Sequence, residues 1–105
     1  MPKFVMVVTS RSLPGREVDY ATWYDNTHIK DICSVEGVTS GRRIVAMPEA
    51  SPNPPPGSQL AIYEIETDDP SKVMAEIGQR SQSGEFAMTD AIDLGSAQIW
   101  FYRQD

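Results

Sequence analysis

One cysteine, Cys33, and one histidine, His28, are all that 105 residues offer of zinc's softer ligands. That scarcity excludes an internal disulfide and a structural zinc site, and no metal site is expected. Basic residues are few as well: nine Lys and Arg against fifteen Asp and Glu give a net charge of −6. The only adjacent pair is Arg42-Arg43, so no basic stripe exists to track nucleic acid or an anionic membrane surface. The longest apolar run, Phe4 to Val8, is far too short to span a bilayer and lacks the pattern of a signal peptide. A cytoplasmic protein with neither a membrane nor a nucleic-acid partner is the expectation. A glycine-rich phosphate loop and a Ser-His-Asp arrangement are also missing, which leaves nucleotide and flavin readings without support, and no cofactor is expected.

What remains is ordinary globular composition, 40% hydrophobic and 23% charged, in a chain long enough for one core. Residues 1–105 therefore read as a single domain. A core of this size is small, and self-association would add to its stability.

Lys3 to Ser10, KFVMVVTS, is an unbroken β-branched and apolar run of the kind that forms a central strand. Pro14-Gly15 marks a tight connection, after which the spacing predicts a helix from about Glu17 to about Cys33. At about 100° per residue, Val18, Ala21, Tyr24, Asp25, His28, Ile29, Ile32 and Val35 share its inner side, and Trp23 falls near the edge of that stripe. Gly37 is suited to stop the helix, and Val38 to Met47 follows as a polar edge strand with Gly41 inside it. Pro48 to Ser58 carries five prolines and reads as a surface loop. Gln59 to Glu66 is a third strand. Asp69-Pro70 starts a second, shorter helix that weakens from Gly78 to Gly84. Glu85 to Asp93 has no clear form, and Ala97 to Tyr102 closes the chain as a strand.

The order β-α-β-β-α-β is the split arrangement of the ferredoxin-like α+β fold: a four-stranded antiparallel sheet with two helices on one face. Three strands place apolar side chains on both faces, Leu60 and Ile62 against Ala61, Tyr63 and Ile65, for example. An uncovered apolar face calls for a partner, and a twofold copy packed sheet to sheet is expected.

Leu13-Pro14-Gly15-Arg16, Trp23-Tyr24-Asp25-Asn26-Thr27-His28, Glu36-Gly37-Val38, Gly41-Arg42-Arg43 and Leu60-Ala61-Ile62-Tyr63-Glu64 together resemble the dimeric α+β barrel superfamily, within it the EthD-like branch. The chain departs from that branch at Glu36 and by the proline-rich Ala50 to Gly57 insertion. The resemblance implies a homodimer and a small aromatic or polyketide-like ligand between helices and sheet. Its activities range over cyclases, isomerases, cofactor-free monooxygenases and haem-degrading enzymes, and fold analogy does not choose among them.

His28, the sole imidazole, sits in the helix stripe and is the expected general base or acid, its alternative being a buried neutral histidine bonded to backbone or tyrosine. Tyr24, four residues earlier, would orient it or donate to a developing oxyanion; Asp25, three earlier, would fix its tautomer. Trp23, whose alternative is packing at the dimer seam, and Trp100 are expected to contact substrate, and one of Arg42 and Arg43 to clamp a carboxylate or phenolate while the other faces solvent. The leading expectation is a cofactor-independent isomerase, cyclase or dehydratase acting on a small aromatic, phenolic or lactone-type metabolite. The alternatives are a non-catalytic ligand-binding homodimer and a haem-binding, monooxygenase-like protein with His28 as axial ligand.

Overall fold

The structure, a computed structural model, describes residues 2–105. Strands β1 (Lys3–Ser12), β2 (Val38–Val45), β3 (Gln59–Glu66) and β4 (Ile92–Gln104) form one antiparallel sheet in the order β2-β3-β1-β4. Two helical rods follow β1 and β3. The first joins α1 (Glu17–Trp23), a π turn (Tyr24–His28) and α2 (Ile29–Cys33); the second is α3 (Pro70–Gln82). This is the ferredoxin-like βαββαβ arrangement that the sequence predicts.

Strand register divides the side chains into two sets. Met6 lies opposite Tyr63 and Phe101, and Val8 opposite Ala61 and Ile99, so these residues share the face beneath the helices. Met6, Ala61, Tyr63 and Ile65 join Tyr20, Trp23, Tyr24 and Ile32 of the first rod and Val73 and Ile77 of α3 in one buried core. Each large apolar side chain so buried contributes about 1.5–3 kcal/mol. The alternate set, Val5, Val7, Leu60, Ile62, Trp100 and Tyr102, occupies the opposite face.

The first rod departs from its predicted stripe. Val18 is 79% exposed, whereas Tyr20 and Trp23 are buried. Within the rod the Ile29 N–H donates to the Tyr24 carbonyl five residues back, a π turn that no uniform advance per residue anticipates. The second rod is better capped than its glycine suggests. The Asp69 carboxylate accepts from the Ser71 N–H at 3.0 Å and Pro70 fills the first turn, while the burial of Val73 and Ile77 carries the helix through Gly78 to Gln82. Gly84, at φ +81°, follows its end.

The residues between α3 and β4 form no regular element yet hold core positions at Phe86 and Ala91. They are tied down from β1 and the first rod: the Leu13 N–H donates to the Ala91 carbonyl at 2.7 Å and the Trp23 indole N–H to the Ala87 carbonyl at 2.8 Å. β4 begins at Ile92, earlier than the sequence indicates, because its first residues pair with the end of β1 beyond a register shift at Thr9/Arg11. The proline-rich loop is largely exposed and its base is closed by the Ala46 N–H on the Ser58 carbonyl at 2.9 Å.

Gly41 has a specific steric role. It lies opposite Tyr63, and a Cβ there would stand 2.6 Å from the Tyr63 ring and 3.1 Å from Cys33 Sγ. The missing side chain is what lets the tyrosine ring approach β2 so closely. Gly41→Ala should lower unfolding stability by about 1–3 kcal/mol through overpacking. Urea denaturation checks this; an unchanged midpoint would show that the ring moves aside freely.

Candidate functional site

Between the first rod and the sheet lies a cavity of about 210 Å³, its wall including Met6, Val8, Trp23, Tyr24, His28 and Tyr63. Met88, Leu94 and Ile99, all substantially exposed, also line it and form an apolar rim. None of its lining residues carries a formal charge at neutral pH. A larger hollow of about 350 Å³ beside the start of α3 is lined mainly by Glu36, Glu66, Asp68, Asp69 and Glu76, and holds none of the predicted site residues.

The π turn assembles the cavity's chemical wall. In a regular α-helix a residue five positions on points about 140° away round the axis. Here the wider turn carries His28 over Trp23, with ring centroids 4.3 Å apart and planes at 20°, while Tyr24 meets the imidazole edge-on at 5.2 Å. Burial among these rings lowers the His28 pKa to about 4, partly opposed by Asp31. The imidazole is therefore neutral at physiological pH. Among the described residues two buried side-chain polar atoms lack a hydrogen-bond partner, His28 Nδ1 and the Tyr63 hydroxyl, and both residues line this one cavity.

Tyr24 does not bond to His28. Burial pushes its phenol far above the ordinary range, and its hydroxyl lies with those of Tyr20 and Ser10. Ser10 and Tyr20 hydroxyls bond to each other, and Ser10 also reaches the cavity wall.

The charged residues of the predicted site lie elsewhere. The Arg43 guanidinium donates to both carboxylate oxygens of Asp25, at 3.0 and 2.9 Å, and to Gln59 Oε1 at 2.6 Å. That bidentate pair holds the Asp25 carboxyl below the usual carboxylate range. Asp25 is thus committed to Arg43 and does not fix the His28 tautomer as its spacing suggested. Register puts Arg42 opposite Ile62, on the face away from the helices. Trp100, opposite Val7, lies on that same face and is absent from the cavity wall. The structure therefore brings together His28, Tyr24 and Trp23 and leaves Asp25, Arg42, Arg43 and Trp100 outside.

Tyr63 and Ser10 were missed as site residues. A tyrosine alternating with Ala61 and Ile65 on a central strand reads as packing, and only the glycine opposite it, Gly41, signalled a ring with a special position.

No family model matches the chain, and no curated protein matches it. Solved structures do share its fold. One, described as a "putative monooxygenase" from Shewanella loihica PV-4, aligns with TM-score 0.60 at 12% identity, covering 100% of this chain and 97% of that one. Another, a NIPSNAP family protein with unknown function from Agrobacterium tumefaciens str. C58, aligns with TM-score 0.62 at 15% identity, covering 97% and 87%. Identities this low establish the common ferredoxin-like fold alone.

A buried hydroxyl without a partner in the fold costs stability. Tyr63→Phe should leave the thermal midpoint at or above that of the parent protein. A clear fall would show that the hydroxyl supports the fold.

Proposed function

We propose that the chain binds a small aromatic, phenolic or lactone-type metabolite in the cavity, and that His28 moves a proton on it without a cofactor. The observation that carries the reading is a neutral imidazole stacked on Trp23, its Nδ1 unpartnered, in the wall of an apolar cavity.

The depressed pKa shapes the chemistry. At neutral pH the imidazole is already in the basic form, and the imidazolium made by accepting a proton is disfavoured by its dry surroundings. Such a base returns its proton quickly. It suits isomerisation, where a proton leaves one carbon and is redelivered to another atom of the same molecule, or dehydration, where it leaves with a hydroxyl as water. Tyr24, protonated and flanking the imidazole, supplies a hydroxyl for a developing enolate oxygen in place of the arginine that the sequence offered.

The description of the Shewanella loihica protein supports a second reading, in which the same deprotonation precedes reaction with dioxygen. Haem fits less well, since a cavity of about 210 Å³ accommodates roughly one substituted ring and not a tetrapyrrole. The EthD-like resemblance rests on the motifs Leu13 to Arg16, Trp23 to His28, Glu36 to Val38, Gly41 to Arg43 and Leu60 to Glu64.

His28→Phe keeps the stack and removes both ring nitrogens. Deuterium exchange into cyclic ketone and lactone probes in D₂O should be promoted by the parent protein and fall about 10²–10⁴-fold in the variant. Exchange should persist on acidification until about pH 4, the lowered His28 pKa, where the base form is lost. Binding without exchange would favour the non-catalytic reading, and oxygen uptake with a phenol would favour the monooxygenase.

The open sheet face supports the homodimer. Val5, Val7, Ile62, Trp100 and Tyr102 share it, with Trp100 and Tyr102 39% and 59% exposed. A twofold copy packed there would close two sheets into a barrel and leave each cavity within its own subunit. Sedimentation equilibrium should show a dimer at micromolar concentration and Trp100→Glu a monomer; a monomeric parent protein would contradict the assembly.

A further inference from the structure

We infer that the cavity selects an uncharged ligand of about one ring bearing a hydrogen-bonding oxygen, and rejects carboxylates and ammonium groups of the same size. The inference rests on the reading of the cavity as a ligand site and narrows the chemistry that site accepts.

Four observations converge on it. The wall contains no Lys, Arg, Asp or Glu, so a charge brought inside would be stripped of water and meet no counter-charge. The cation nearest in sequence logic, Arg43, is held by Asp25 and Gln59, and Arg42 stands on the far side of the sheet. His28 does not fill the gap, because the burial that makes it unpartnered also keeps it neutral. The rim is apolar too: Met88, Leu94 and Ile99 offer nothing to an ionic group at the entrance.

Polar recognition is nevertheless available. Ser10, Tyr24, Tyr63 and Ser81 place hydroxyl-bearing side chains around the hollow, and His28 adds a neutral nitrogen. Neutral hydroxyls donate to or accept from a phenol or an amide without any charge to balance. Size follows from volume. A dry cavity of about 150 Å³ admits benzene, so about 210 Å³ admits one ring with small substituents.

The test uses four probes of one size: p-cresol, benzamide, benzoate and benzylammonium. Benzamide and benzoate are near-isosteres that differ in charge. Amide chemical shifts in two-dimensional NMR spectra of the full chain at pH 7 locate and quantify binding. The expectation is saturable shifts at Ser81, Ala97 and Ile99 with p-cresol and benzamide, and affinity at least tenfold weaker for benzoate and benzylammonium. Either ion binding at those residues with less than a tenfold deficit against benzamide overturns the inference and leaves the proposed ligand site standing. Absence of binding by all four probes removes the ligand-site reading itself, and the inference with it.

Discussion

The site depends on one packing event, the stacking of the His28 imidazole on Trp23. The π turn makes it possible by bringing a residue five positions on round to the same side of the rod. Trp23 is itself fixed, since its indole N–H is held by the Ala87 carbonyl. The irregular segment between α3 and β4 therefore braces the aromatic wall, while its own Met88 joins Leu94 and Ile99 of β4 in the rim. Stacking on one side and Tyr24 on another leave the imidazole too dry to hold a proton. The same burial makes folding sensitive to acid. With a folded pKa of about 4 against 6.5 for the free side chain, His28 takes up a proton more readily in the unfolded chain, so stability is greatest above about pH 6.5 and erodes as pH falls toward 4.

Polarity is sorted around this wall. The Asp25–Arg43–Gln59 cluster clasps the π turn to the β2–β3 edge, with the charges paired at the surface. Inside, the Ser10 and Tyr20 hydroxyls bond to each other beside Tyr24 without a formal charge. The two atoms left over, His28 Nδ1 and the Tyr63 hydroxyl, belong to residues of the same cavity. Native cores rarely leave buried polar atoms unpaired, and local violations of this rule concentrate where function is served.

Much of the fold was legible because local signals agreed with tertiary need. The apolar run of β1, the alternation in β3 and the Asp69-Pro70 start of α3 each follow from residue chemistry. The site was legible in part. His28 and Tyr24 lie on the cavity because they are helical neighbours that face the sheet. Trp23 was placed at the stripe's edge because an even 100° advance cannot show a π turn. Asp25 was assigned to the imidazole because sequence spacing reveals a near neighbour on the rod, whereas its partner Arg43 comes from another element. Trp100 and Arg42 fell on the wrong face for the cavity through strand register alone, where one residue reverses every side chain. Phe86 and Ala91 carry core packing without periodicity, so no pattern announced them.

The central claim is that burial in the aromatic wall keeps the only imidazole neutral and available. It is tested most directly by following the His28 ring resonances in NMR spectra from pH 8 downward. The account predicts a neutral ring at pH 7 and a titration midpoint near pH 4. A midpoint close to 6.5, the value of an unburied imidazole, would contradict it.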